Sequence, residues 1–229
     1  MAEIFGINEN YANNVEIDDL ESERQTLIGV WIDDSGSMST FECVMRDCLN
    51  RFKSAIKGSK ESDEMLISRT LFGNDVLPGG YQFIDDFNDD YHASGMTKLY
   101  DCIVDGQKRL FDGAGNGYME KLQANGIKAK AVIAIFSDGE DTYSNATLND
   151  ARRAIEFLHS KEIVVAFIAF GNNAHGIAQK LGIEDKNILE TDATESDLRR
   201  IFMILSKSAI SASKSAAAAT TTDDSFFTV

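Results

Sequence analysis

The chain has 229 residues, 43% of them hydrophobic, enough to build one large domain or two small ones, which excludes a disordered or fibrous protein. Lys and Arg number 22 against 37 Asp and Glu, and a net charge of −15 argues against a nucleic-acid partner, because phosphate-backbone binding runs on counterion release by basic residues.

Residues 1–24 are acidic and Asn-rich without a sustained period, so the domain proper is expected to begin near Gln25. Apolar runs at residues 27–32, 65–72, 131–136 and 163–170 are each ended by Gly, Asp or Ser and read as strands buried on both faces. Phe41, Val44, Met45, Cys48, Leu49, Phe52, Ala55 and Ile56 follow the first run at helical spacing. Gly79-Gly80 reads as a turn leading from Val76-Leu77 into an extra edge strand around residues 81–84, and Pro78, the only proline, is tolerable at an edge. A helix carrying Leu99 and Ile103 follows Thr97, and the Gly-rich stretch 113–117 lacks the Lys-Ser/Thr ending of a phosphate loop and reads as a flexible connection. Thr147-x-x-Asp150 and Thr194-x-x-Asp197 resemble capping boxes that open two more helices. Strand and helix alternate throughout, which implies an α/β fold with right-handed crossovers, a mostly parallel sheet and helices on both faces. From Ser206 the composition turns to Ala, Ser and Thr, expected as a linker (residues 208–229 outside the domain) that ends in an apolar tip with Phe226 and Phe227.

Three segments at element boundaries carry the chemistry. Asp33-Asp34-Ser35-Gly36-Ser37 ends the first strand at the carboxyl edge of the sheet, where open α/β folds place their ligands. Gly36 allows a tight bend that turns the hydroxyls of Ser35 and Ser37 toward one point beside Asp33. Ser94-Gly95-Met96-Thr97 adds a third hydroxyl and Ser137-Asp138-Gly139 a second carboxylate. Asp33, Ser35, Ser37, Thr97 and Asp138 offer only oxygen, a set suited to Mg²⁺, or Mn²⁺ or Ca²⁺.

Asp33-x-Ser35-x-Ser37, Thr97 and Asp138-Gly139 resemble, in order, the metal-ion-dependent adhesion site of the von Willebrand factor A domains, and the resemblance spans residues 25–207. It implies a doubly wound six-stranded sheet of order 3-2-1-4-5-6 with one antiparallel edge strand. It further implies that Ser35, Ser37 and Thr97 coordinate the cation, with Asp33 and Asp138 binding directly or through water. One open coordination position would take an Asp or Glu carboxylate from a partner protein. Met96 stands where many members carry a small residue, and Asp34, Glu140 and Asp141 add negative charge, read as solvated rim residues. Asp101 and Asp105, four apart on a helix, are likewise expected to be solvated, and His175 to be structural or exposed.

The function expected is a metal-dependent protein-interaction module of an intracellular bacterial or phage system, working beside an AAA+ ATPase or kinase and phosphatase partners as intracellular members of that family do. The apolar tip is expected to dock on a partner or another copy. The alternatives are a Mg²⁺-dependent hydrolase or phosphoryl-transfer enzyme, and a structural protein whose metal only braces the fold. Against an enzyme, Ser35 stands where the second Asp of an aspartyl phosphatase would be, and no Lys or His is placed as acid, base or charge clamp. Without an apolar run near the roughly 20 residues of a membrane helix, and without a leader, a cytoplasmic location is expected. Cys43, Cys48 and Cys102, an odd number, suit free thiols there.

Overall fold

The computed structural model describes residues 13–171, 173–191, 194–214 and 227. Its strands are β1 (Arg24–Ile32), β2 (Met65–Phe72), the short β3 (Val76–Pro78), β4 (Lys128–Ser137), β5 (Val164–Phe170) and β6 (Ile188–Thr191). They form one sheet in the order β3-β2-β1-β4-β5-β6, in which every neighbouring pair is parallel except β2 with β3. β1 lies at the centre and pairs with β2 on one side (Thr26 opposite Met65) and β4 on the other (Thr26 opposite Lys130). After its first residue β1 is buried throughout, as expected of a parallel strand covered on both faces.

Among the described residues six α-helices cover the sheet: α1 (Glu42–Lys57), α2 (Leu99–Leu110), α3 (Tyr118–Ala124), α4 (Leu148–Ser160), α5 (Ala174–Lys180) and α6 (Glu195–Lys214). Because successive side chains of a strand point to opposite faces, the two sets of β1 residues belong to different cores. Ile28, Val30 and Ile32 pack with α1 and α6, and Leu27 and Trp31 pack with α2, α3, α4 and α5. On the first face Phe202 of α6 stacks on Phe136 of β4 at 4.8 Å between ring centroids and meets Phe52 of α1 edge-on at 6.4 Å. This ties both helices to the strand that leads into Asp138. The Thr147 and Asp150 capping box forms as read, the Asp150 amide donating to Thr147 Oγ1 and the Thr147 amide to Asp150 Oδ2 at 2.9 Å. Ahead of α6 the Asp197 amide donates to Thr194 Oγ1 at 3.2 Å and the Thr194 hydroxyl to Asp197 Oδ2 at 2.9 Å.

The structure corrects the sequence reading at several places. The edge strand is β3, which precedes Gly79-Gly80 and includes Pro78, whereas residues 81–84 make a single bridge between Gln82 and Ile67. Residues 113–117 are held in place, since Asp112 Oδ1 accepts the Ala114 and Asn116 amides and the Glu120 carboxylate accepts the Asp112, Gly113 and Gly117 amides. At the amino end, Val15, Ile17 and Leu20 pack against the second core, and Asn14 Oδ1 accepts the Tyr81 amide. The body therefore starts before Gln25.

The largest correction concerns the Ala/Ser/Thr tail. Its first part is not linker, because α6 runs unbroken to Lys214 and buries Ala209, Ala212 and Ser213. Small residues let this helix lie close to its neighbours, and Ser206 Oγ satisfies itself on Phe202 O at 2.8 Å. Phe227, expected in a docking tip, is 7% exposed and belongs to the first core of its own chain. Phe226 and the rest of residues 215–226 lie outside the described residues. Among the described residues no helix is long and apolar enough to cross a membrane.

Candidate metal centre

β1 and β4 are neighbours whose connecting helices leave toward opposite faces, so their carboxyl ends flank the switch point of the sheet. The Asp33 amide extends the ladder by donating to Phe136 O at 2.8 Å, which sets Asp33 beside the end of β4. Asp33 is fully buried. Its Oδ1 accepts the Ser35 amide at 2.9 Å and its Oδ2 the Ser137 hydroxyl at 2.7 Å. Tyr91, itself buried, donates its hydroxyl to Asp33 O at 2.6 Å.

The Ser35 and Ser37 hydroxyls lie 3.0 Å apart, as expected of two oxygens turned toward one point. Gly36 does not work there through a special bend. It opens a 3-10 helix, Gly36–Phe41, that leads into α1, and its amide donates to Gly95 O at 3.0 Å. That bond, with the Ser94 amide donating to Asp34 O at 2.6 Å, fastens the loop that carries Thr97 to the Asp33–Ser37 turn. Gly95 has φ of +83° and presses against Asn74, whose Oδ1 accepts the Met96 amide, so a side chain at this position would meet both strain and collision.

Thr97 is gripped from its other side by the loop between β4 and α4. Its amide donates to Thr142 Oγ1 at 3.0 Å, and its carbonyl accepts the Thr142 and Tyr143 amides at 3.1 and 3.0 Å. Asp101 is not a solvated helix residue, because its carboxylate accepts the Asn145 and Ala146 amides, the latter at 2.8 Å. Asp141 is no rim acid either, since its Oδ1 accepts the Tyr100 amide and the Ser144 hydroxyl. The first turn of α2 thus satisfies its free amides on that loop rather than on its own cap residue. Asp138 is half-buried in the same loop, its Oδ1 accepting the Glu140 amide at 3.2 Å, and Gly139 next to it has φ of +85° against Ala174.

The five predicted residues therefore stand on three loops that are hydrogen-bonded to one another. Asp33, Ser35 and Thr97 are buried, Ser37 is exposed and Asp138 half-buried, so the accessible side of the group is that of Ser37 and Asp138. Burial pushes the Asp33 carboxyl up to about 6, with the Asp138 charge adding to it, against the hydroxyls of Ser35 and Ser137 and the Ser35 amide. Asp34, read as a rim acid, is half-buried with Oδ1 unpartnered. Burial first, then the Asp33 charge, raises its carboxyl to about 7, while Arg69 and His92 oppose the shift. A fully buried carboxylate whose hydrogen-bond donors are neutral, beside a second carboxylate and an orphaned third, is an arrangement that a divalent cation would relieve. The all-oxygen donor set fits a hard cation. Among the described residues no group of three or more His, Cys, Asp or Glu side chains forms a metal cluster, so hydroxyls would have to complete the shell. His175 is not part of the group and faces Glu190 and Asp185.

Sequence reasoning missed Ser137, Tyr91, Asn74 and Thr142. Ser137 could have been found, since it adjoins Asp138 at a strand end. The others act through backbone contacts that leave no spacing signal.

Sheet order, one antiparallel edge pair and loops gathered at the switch point define a von Willebrand factor A fold. Solved structures share it. The pilus adhesin SpaC from Lactobacillus rhamnosus GG superposes with a TM-score of 0.65 at 9% identity, covering 87% of this chain and 31% of that chain. The vWF domain of the type V pili tip protein Mfa5 from Porphyromonas gingivalis gives 0.61 at 9% identity, covering 85% and 98%. Proximal thread matrix protein 1 from the mussel byssus, with a zinc-occupied MIDAS motif, gives 0.59 at 13% identity, covering 82% and 46%. The chain spans about a third of the adhesin and under half of the thread matrix protein. No family model matches the sequence, nor does any curated protein at a significant level.

Proposed function

We propose that this chain is a metal-dependent protein-interaction module that captures a carboxylate of a partner protein at the Asp33, Ser35, Ser37, Thr97 and Asp138 group. The observation that carries the reading is the buried Asp33 carboxylate, ringed by hydroxyls and fastened to the Thr97 and Asp138 loops. A bound Mg²⁺, or Mn²⁺ or Ca²⁺, would supply a positive charge with a coordination position open to an incoming Asp or Glu. The chain's own residues do the rest. Ser137 and the Ser35 amide hold the two Asp33 oxygens, and the Gly36 to Gly95 bond keeps Thr97 beside them.

The rim narrows the partner further. Glu140 is exposed next to Asp138, and Met96 and Tyr143 are exposed at 46% and 58%, so a fitting partner carries its carboxylate among basic and apolar residues. An intracellular multi-protein setting, with an AAA+ ATPase or a kinase and phosphatase system as the source of that carboxylate, is part of the proposal. The reading assigns no catalytic residue.

Calorimetry of Mn²⁺ and Zn²⁺ binding, combined with capture of partners in Mg²⁺ or EDTA, tests this. Asp33→Ala should abolish Mn²⁺ binding and EDTA-sensitive capture while the far-ultraviolet spectrum is kept, because the group lies at the rim of the sheet. Unchanged Mn²⁺ affinity in Asp33→Ala would refute the assignment.

A further inference from the structure

At the amino ends of β1 and β4, on the pole opposite the metal centre, lies a cavity of about 330 Å³. Nine residues of β1 at roughly 3.3 Å each separate the two poles by about 30 Å. The cavity is lined by Arg24, Lys128, Lys130 and Lys161 against the carboxylates of Glu64 and Glu162. In a chain of net charge −15 that local excess of cations is unusual. Arg24 and Lys128 sit directly opposite each other in the parallel register, and Lys130, two residues further on the same face of β4, donates its ammonium to Ala212 O near the end of α6. Like charges so placed repel. Burial and then the charge of Arg24 hold the Lys130 ammonium below its usual range, opposed by Glu64.

A second and independent observation lies in the same wall. Gln25 is 2% exposed, and both Oε1 and Nε2 of its amide lack a hydrogen-bond partner. Ser213, near the end of α6, is 8% exposed, and its hydroxyl is likewise unpartnered. Buried polar groups are nearly always paired, so three orphaned polar atoms at one cavity mark a place where bonds are made to something else. Crowded cations call for an anion. The Gln25 carbonyl accepts and the Ser213 hydroxyl both donates and accepts, which an ionised carboxylate alone cannot satisfy because it has no donor. A volume of this size is in the range of small-molecule sites and exceeds the needs of a bare inorganic ion.

We propose that this cavity binds a small phosphate ester that carries hydroxyl groups, with Arg24 and Lys128 facing the phosphate and Gln25 and Ser213 facing the hydroxyls. Such a site is independent of the metal centre and would let a soluble metabolite bear on the pole where α6 ends.

Ribose 5-phosphate, inorganic phosphate and citrate are titrated into the full chain by calorimetry in low salt with EDTA present, so that metal-bridged binding elsewhere is removed. The expected result is saturable binding of ribose 5-phosphate, at least tenfold weaker binding of the other two, and a tenfold or greater loss in Lys128→Glu. Gln25→Leu should also weaken binding while its melting temperature stays level or rises, because an unpaired buried amide is removed. Should Gln25→Leu fail to fold, Gln25→Met gives the same readout. No binding of ribose 5-phosphate at millimolar concentration, equal binding of all three anions, or unchanged affinity in Lys128→Glu would overturn the proposal.

Discussion

Asp33 does several things at once, and each of its atoms is accounted for. Its amide and carbonyl belong to the backbone framework, through Phe136 and Tyr91, while its carboxylate is oriented by Ser35 and Ser137. Ser137 is thus a positioning residue. Outer-shell partners of metal ligands typically cost about 10 to 100-fold in affinity when removed. Ser137→Ala is therefore expected to weaken Mn²⁺ binding by a factor in that range, and Ser137→Thr to restore most of it; calorimetry of both variants checks the pair, and a null effect of Ser137→Ala would show that Asp33 needs no orientation. The residue types of this candidate site were legible in the sequence, because oxygen-bearing residues concentrated at strand ends leave short local motifs. The roles of Asp34 and Asp101 were not. Whether an acid is solvated or buried depends on what another loop brings to it, and Asp101 meets Asn145 and Ala146 across more than forty residues of chain.

At the scale of elements, the loop between β4 and α4 clasps the start of α2 and so couples the Thr97 and Asp138 segments. Hydrogen bonds to a charged group contribute about 1.5 to 3 kcal/mol each in typical mutational series. Asp101→Ala is expected to lower stability by about 2 kcal/mol and to speed amide exchange at residues 142–146, with Asp101→Asn milder; exchange unchanged in that stretch would show that the clasp is not held by Asp101. α4 offers a pH test. Hydrogen bonds from Thr147, followed by Arg153, hold the Asp150 carboxyl down to about 2 from the ordinary 3.8. A depressed carboxyl stabilises the fold above its unfolded value, so this contribution is complete above about pH 5 and is lost as pH falls through about 2. The Asp150 carboxyl resonance should titrate near 2 and move toward 3.8 in Thr147→Ala, and equal midpoints would contradict the cap. The long strands and helices were readable because continuous apolar runs and four-turn stripes carry strong periodicity. β6 and α5 were not, since β6 has four residues and α5 seven, too few to show a period.

For the whole molecule, the carboxyl-terminal region closes one of the two cores. A run of Ala, Ser and Thr reads as linker from composition because such residues bury little area, yet Ala209 and Ala212 carry α6 onward as buried members of the core that Phe202 enters over Phe136. Tertiary packing, invisible to a local window, decided the outcome. Phe227 then lies in the same cluster as Phe52, Phe87 and Phe202, at 7% exposure. Truncating a buried Phe to Ala costs about 3 to 5 kcal/mol, and for a chain of this size each kcal/mol lowers the melting temperature by about 2 to 4 °C. Phe227→Ala should therefore lower the melting temperature by roughly 6 to 20 °C, and deletion of residues 223–229 by at least as much. Differential scanning calorimetry of both variants measures this. A melting temperature unchanged by either would mean that Phe227 leaves the core in solution and is free for a partner, whereas the expected drop identifies Phe227 as a core residue and removes it from the interaction surface.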